Sequence, residues 1–339
     1  MVVTHWVHPE VAAYLASFCD PVLPAGPGEV FPPATVAELA AGATGLITGM
    51  SDQVDEAFLA GCPRLRVISA TLKGYDNFDA AACARHGVWL AILPDLLTAP
   101  TAELAVGLVI GVMRRMAEAD REMRLGTFAG WRPRLYGAGL DGATAGIVGM
   151  GKVGQAVAAR LQGFGTRIVY CDPRPVPPGA LPQTGAEVTR LGWFSLREVS
   201  DVVVLALPLT GETRHLLGAE ALAAMRPGAF LVNVGRGSVV DEDAVTAALA
   251  SGRLGGYAAD VFAMEDWALP GRPRRIPPQL LAHPRTLFTP HLGSAVDAVR
   301  SQMSREAARQ VHQVLRGERP DHAVNEPARP RPGSWRPGS

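Results

Sequence analysis

Along the first hundred positions, apolar residues come in short runs separated by short amphipathic stretches. The runs 46–50, 65–70 and 88–93 read as strands, with short helices at 55–60 and 79–86 between them. Such alternation predicts a parallel sheet. Residues 100–103, Pro-Thr-Ala-Glu, then open a helix, Pro being tolerated in a first turn and Glu103 favoured by the helix dipole. The apolar run 104–113 that follows predicts a helix buried on every side, yet too short to span a bilayer. Residues 126–141 break the pattern with an aromatic, Gly-rich loop, of a length that is usually functional or mobile.

A second alternating series begins at Thr144. Strands are expected at 144–149, 167–171, 201–207, 229–233, 256–260 and 286–289, and six strands in βα alternation indicate a doubly wound sheet. Ser294 is expected to cap a last helix, with Asp297 three residues on as in a capping box. Val296, Val299, Met303, Ala307, Val311 and Val314 give that helix one apolar face. The Pro/Arg/Gly-rich stretch from Glu326 predicts a disordered tail.

Composition narrows the class. The 339 residues suffice for two domains with real cores, and 48% hydrophobic against 19% charged residues excludes a disordered chain. Lys+Arg and Asp+Glu both number 32, so the basic excess of a nucleic-acid or anionic-membrane surface is missing. Cys19, Cys62, Cys83 and Cys171 form no CxxC pair and no disulfide framework, and no His/Cys/Asp spacing suggests a metal. The first residues lack a signal-peptide pattern, so the expectation is a soluble, cytoplasmic protein.

The strand at 144–149 runs directly into Gly149-Met150-Gly151-Lys152-Val153-Gly154, a GxGxxG turn followed by a helical pattern. Gly149 allows the tight turn, Gly151 lets the backbone approach a pyrophosphate, and Gly154 lets the helix pack on the strand. The next strand ends at Asp172, 18 residues past Gly154, where a carboxylate can accept hydrogen bonds from adenosine ribose hydroxyls. An acid there repels a 2′-phosphate, so NAD is expected over NADP. Pro173-Arg174 leaves NADP a weaker option, because Arg174 could contact such a phosphate.

Three charged residues fall just beyond expected strand ends, the edge where ligands bind in open α/β sheets. They are Arg236 after Gly235, Glu265 beside Asp266, and His291 in Thr-Pro-His-Leu-Gly-Ser. A cation for an anionic substrate, a base and a carboxylate to tune it make a hydride-transfer set. With the glycine fingerprint, the segments NVGRGSVVDE, GYAADVF and TPHLGS resemble the D-isomer-specific 2-hydroxyacid dehydrogenase family, over about residues 40 to 320. The resemblance implies two Rossmann-like α/β domains with parallel sheets and a site in the cleft between them. Residues 1–98 plus 293–325 would form a discontinuous substrate domain, 99–292 the NAD-binding domain and 326–339 the tail. It implies Arg236 as substrate clamp, His291 as acid/base, and Glu265 as the carboxylate that orients that His and raises its pKa. A homodimer is also implied.

Four segments, LKGYDNFD, PDLLTAPTAELA, GTFAGWRPRLYGAGLD and FAMEDWA, resemble more narrowly the phosphonate (phosphite) dehydrogenases of that family. That likeness places Lys73 beside Arg236 as a second cation for a dianion, with the Gly74 backbone, Met50, Leu97, Trp131, Tyr136 and Ser294 completing the substrate pocket. On its own Lys73 reads as a solvated surface lysine. Pro208, Thr213 and Asp260 would lie near the nicotinamide. The implied reaction moves a hydride from the P–H bond of phosphite to nicotinamide C4, with water as nucleophile. Reduction of a 2-oxo acid such as glyoxylate or hydroxypyruvate is the alternative, and a non-catalytic NADH-sensing protein a second one.

Overall fold

A computed structural model describes residues 1–177 and 188–331, in two compact units. The first comprises Met1–Leu97 and Val296–Ser339, the second Thr98–Ala295.

The first unit is built on four parallel strands in the order β1 (Val2–Val3), β2 (Gly45–Thr48), β3 (Val67–Ala70) and β4 (Trp89–Ala91). Every residue of these strands is buried, because helices cover both faces. Leu46, Ile68 and Leu90 point to one side with Leu59 and Cys83, while Ile47, Val67 and Trp89 point to the other. There they meet Ala307, Val311 and Val314 of the helix Asp297–Leu315. Helices Pro9–Ala16 and Pro33–Ala41, unread in the sequence, each start on a proline in the first turn.

Two expectations for this unit need correction. Helix Asp297–Leu315 has Val296 at its N-cap with no side-chain cap, so Ser294 does not cap it. The backbone N–H groups just before Ser294, those of Leu292 and Gly293, are bound instead by Asp260, and the helix begins only after that turn. The tail is fixed as far as Arg331, whose guanidinium donates to the carbonyls of Cys62 and Leu65 at 2.5 and 3.0 Å. Charge-assisted bonds to these carbonyls outweigh the low hydrophobicity of this stretch. Residues 332–339 of the tail lie outside the described residues.

The second unit holds seven parallel strands. They are β5 (Thr144–Val148), β6 (Arg167–Cys171), β7 (Val188–Arg190), β8 (Val202–Leu205), β9 (Ala229–Asn233), β10 (Leu254–Ala259) and β11 (Thr286–Phe288). Their order, β11-β10-β9-β8-β5-β6-β7, reverses direction between β5 and β8, the switch point of a doubly wound sheet. The seventh strand, β7, escapes the sequence pattern because its three residues are half-buried or exposed and carry one apolar side chain. Helices Thr98–Met113 and Lys152–Gln162 pack on one face, where Ala105, Val109 and Val112 are buried with Ile147, Val157 and Val232. The opposite face buries Leu196, Leu222, Val245 and Leu249 on Leu231 and Tyr257. After helix Met116–Arg124 the stretch 126–141 forms neither helix nor strand. Its end is pinned at Gly137, where a Cβ would stand 2.2 Å from the Met113 carbonyl oxygen. Among the described residues no helix is long and apolar enough to cross a membrane.

Candidate active site

The turn after β5 has the shape a phosphate needs. Gly149 has φ 89°, and a Cβ on it would come within 2.6 Å of the Ala206 carbonyl oxygen. A Cβ on Gly154 would stand 2.1 Å from the Gly149 oxygen, so strand and helix touch backbone to backbone. At Gly151 a Cβ would meet nothing within 4 Å, so this backbone is open to approach. Gly151 is also the N-cap of helix Lys152–Gln162 and supplies no side-chain cap. The first N–H groups of the helix, at Lys152 and Val153, thus face outward with the positive end of its dipole.

Asp172 follows β6. Its Oδ2 accepts the Met150 N–H at 2.8 Å and its Oδ1 accepts the Arg174 N–H at 2.9 Å. The Arg190 guanidinium donates to the carbonyls of Asp172 and Pro173, both at 2.9 Å. A cavity of about 460 Å³ opens there, lined by Cys171, Asp172, Pro173, Arg190, Leu191 and Gly192. Across the switch point, the Thr213 hydroxyl donates to the Pro208 carbonyl at 2.8 Å, closing the turn after β8. A bare helix N-terminus, an open glycine backbone and an acid at the next strand end fit a dinucleotide.

The same sheet edge carries the charged set. After β9, Asn233 folds the chain back, its Oδ1 accepting the Gly235 N–H at 3.1 Å and its Nδ2 donating to the Arg236 carbonyl at 2.9 Å. This turn presents Arg236, half-buried, beyond the strand. After β10 comes Asp260, 2% exposed, whose Oδ1 accepts the Leu292 N–H at 2.7 Å and the Thr289 hydroxyl at 2.6 Å. Its Oδ2 accepts the Gly293 N–H at 2.8 Å. Burial pushes this carboxyl up from its ordinary range, against the pull of those three donors. Asp260 therefore shapes the His291 turn, while Ser294 lies half-buried just beyond it.

Of the two neighbouring acids, Glu265 is the one that meets His291. Its Oε2 lies 3.0 Å from His291 Nδ1, and its Oε1 accepts the Phe262 N–H at 2.8 Å. With Nδ1 engaged, Nε2 is the nitrogen left to exchange a proton with a substrate. Asp266 is buried and accepts the Ser238 N–H at 2.6 Å.

The remaining candidates are placed separately. Trp131 and Tyr136, in the second unit, are 78% and 76% exposed. In the first unit, Lys73 and Gly74 follow β3 and are half-buried, as are Met50 after β2 and Leu97 at the end of the segment. Sequence reasoning missed what organises this edge. Asp52 Oδ2 accepts the Thr4 hydroxyl at 2.6 Å and the Gly49 N–H at 2.7 Å, and Asn77 Nδ2 donates to the Asp52 carbonyl at 2.6 Å. His5 stands beside them, its imidazole pushed down to about 4 by burial and by the charge of Arg300. These partners come from far-apart segments, so no local motif marks them.

Known proteins match this chain over most of its length. It is 37% identical over 285 residues to the glyoxylate reductase of Thermococcus litoralis, covering 83% of each chain. A protein of Thermus thermophilus has the same fold with a TM-score of 0.85 at 34% identity, over 95% of this chain and 99% of that one. An NADPH-dependent glyoxylate/hydroxypyruvate reductase from Sinorhizobium meliloti, solved in complex with NADP and malonate, matches at 27% identity with a TM-score of 0.80, over 98% of both chains. Residues 106–293 fit the family model of the D-isomer specific 2-hydroxyacid dehydrogenase NAD binding domain. The chain belongs to the D-isomer-specific 2-hydroxyacid dehydrogenase family, and its seven-stranded unit carries the NAD-binding domain.

Proposed function

We propose that this dehydrogenase acts on a small oxyanion, and that the oxyanion is phosphite, oxidised to phosphate. The His291–Glu265 contact of 3.0 Å supports acid/base chemistry, and the resemblance of the segment around Lys73 to phosphite dehydrogenases carries the choice of substrate. Arg236 would bind the anion as a planar fork and Lys73 as a point charge, offsetting more negative charge than a monocarboxylate carries. The bound nicotinamide dinucleotide supplies the hydride acceptor. His291 Nε2 would take a proton from the attacking water as its oxygen bonds to phosphorus and the P–H bond breaks. Glu265 would hold the imidazolium formed, and the two cations would stabilise charge on the phosphorus oxygens. Gly74, Met50, Leu97, Trp131, Tyr136 and Ser294 belong to this proposal as substrate contacts, and a homodimer as its assembly.

The curated relatives support a second reading, and support it better than they support phosphite: they are named glyoxylate reductases at 36–38% identity. In that case His291 Nε2 would donate its proton to the carbonyl oxygen of a 2-oxo acid while Arg236 binds the carboxylate. One assay separates the two. Phosphite with NAD should generate NADH absorbance, and glyoxylate or hydroxypyruvate with NADH should leave it nearly unchanged. The reverse result establishes the 2-oxo acid reductase. The full Arg236, Glu265 and His291 set favours turnover over NADH sensing alone.

A further inference from the structure

Two buried acids stand behind the catalytic turns and have no part in the chemistry above. Asp266, 1% exposed, takes the Ser238 N–H, two residues past Arg236. Glu242, 7% exposed and first in the helix Glu242–Ala250, accepts the Ala263 N–H through Oε1 at 2.8 Å, two residues before Glu265. Asp266, next to Glu265, thus bonds to the Arg236 turn, and Glu242, six residues past Arg236, bonds to the Glu265 turn. Those turns touch at Gly237, where a Cβ would stand 1.8 Å from the Phe262 carbonyl carbon, so neither can shift without the other. Glu242 Oε2 is fully buried with no hydrogen-bond partner among the described residues. That arrangement is costly for a carboxylate and far milder for a neutral acid.

We propose that Glu242 is a positioning residue that works as a neutral acid, clamping the Glu265 turn to the Arg236 turn, and that its ionisation loosens the clamp. The groups facing it agree. Burial is the main cause that pushes this carboxyl up to about 7, with repulsion from Asp266, Asp243 and Glu265 added and the Ala263 N–H opposing. On β10, the Tyr257 phenol is itself pushed above its usual range by burial and by Glu242. Close to neutrality, then, the clamp would change charge directly behind Glu265.

The test compares wild type with Glu242→Gln, which stays neutral and keeps an acceptor for Ala263, and with Glu242→Ala, which is also neutral but offers no acceptor. A folded carboxyl that holds its proton to about 7, against 4.5 when unfolded, stabilises fully at low pH and loses that contribution as pH rises through 7. The thermal midpoint of wild type should therefore fall relative to Glu242→Gln between about pH 5 and 8. Only the kinetic arm rests on the proposed function. With the productive substrate, Glu242→Gln should hold kcat within roughly threefold and lose less activity than wild type above neutrality. Glu242→Ala should lose about tenfold or more in kcat with NADH affinity unchanged. Parallel midpoint curves for wild type and Glu242→Gln overturn the neutral acid, and a wild-type kcat in Glu242→Ala overturns the clamp. A wrong substrate assignment shows up in the substrate assay and leaves the thermal comparison standing.

Discussion

Asp260 encloses the backbone around His291: its carbonyl accepts the His291 N–H at 2.9 Å, while its carboxylate takes the N–H groups of the next two residues. His291 sits there with φ 55°, a left-handed conformation uncommon for a residue with a side chain. The His291 imidazole, the proposed proton carrier, is thus aimed by a strained turn that one buried carboxylate holds. Replacing Asp260 by Asn leaves one acceptor oxygen where two serve three donors. The variant should lose about 1–3 kcal/mol of stability. Its kcat should fall by more than its NADH affinity, which NADH fluorescence titration and steady-state kinetics would separate. Equal losses in both would mean that Asp260 serves the cofactor directly.

Arg236, Glu265 and His291 should fail in different ways. His291→Asn removes the proton carrier, and turnover should drop about 10²–10⁴-fold with NADH binding nearly intact. Glu265→Gln keeps a contact to Nδ1 and drops the charge, so its loss should be smaller and depend on pH. Arg236→Ala should cripple catalysis chiefly by raising KM for the anion. Activity that survives Arg236→Ala at low substrate would remove Arg236 from the substrate clamp.

In the proposed site Asp172 should decide between dinucleotides by charge and by structure at once. Its carboxylate stands at the end of β6, where a bound dinucleotide would place its ribose, and it fastens the Met150 and Arg174 backbones at 2.8 and 2.9 Å. Asp172→Ser removes the repulsion of a 2′-phosphate and leaves Arg174 and Arg190 nearby. The ratio of kcat/KM for NADP over NAD should therefore rise by an order of magnitude or more. Some thermal stability should be lost, because two backbone donors lose an anionic acceptor. An unchanged cofactor ratio would show that Asp172 is only a turn-fastening residue.

What could be read from the sequence follows from how local each feature is. The β5 turn is legible because strand, three glycines and helix are contiguous, and Asp172 lies one βα unit further on. Arg236, Glu265 and His291 each sit directly past an apolar strand, so the edge they share follows from the alternation alone. Choosing Glu265 over Asp266 needs the turn itself, in which adjacent side chains part, one to His291 and one to Ser238. Ser294 was misleading for a similar reason: a cap-like residue is no cap when the preceding backbone already belongs to Asp260. β7 and the Asp52, His5 and Asn77 cluster are held by pairings with distant segments, which no window of sequence contains.

His5 gives the first unit an acid limit. Its imidazole is held down at about 4 by burial and by Arg300, against 6.5 in the unfolded chain, so the folded state keeps it neutral. Stability from this neutral form is complete above about 6.5 and is lost as pH falls toward 4, where folding resists the proton that the unfolded chain accepts. Wild type should therefore lose thermal stability between those limits more steeply than His5→Gln, which has no proton to gain. Because His5 contacts Thr71 and Thr4 of its own unit, the effect should appear in the unfolding of the first unit with NADH binding little changed. Scanning calorimetry at a series of pH values, with NADH present and absent, tests both parts. Identical acid profiles for wild type and His5→Gln would place the limiting titration at another group.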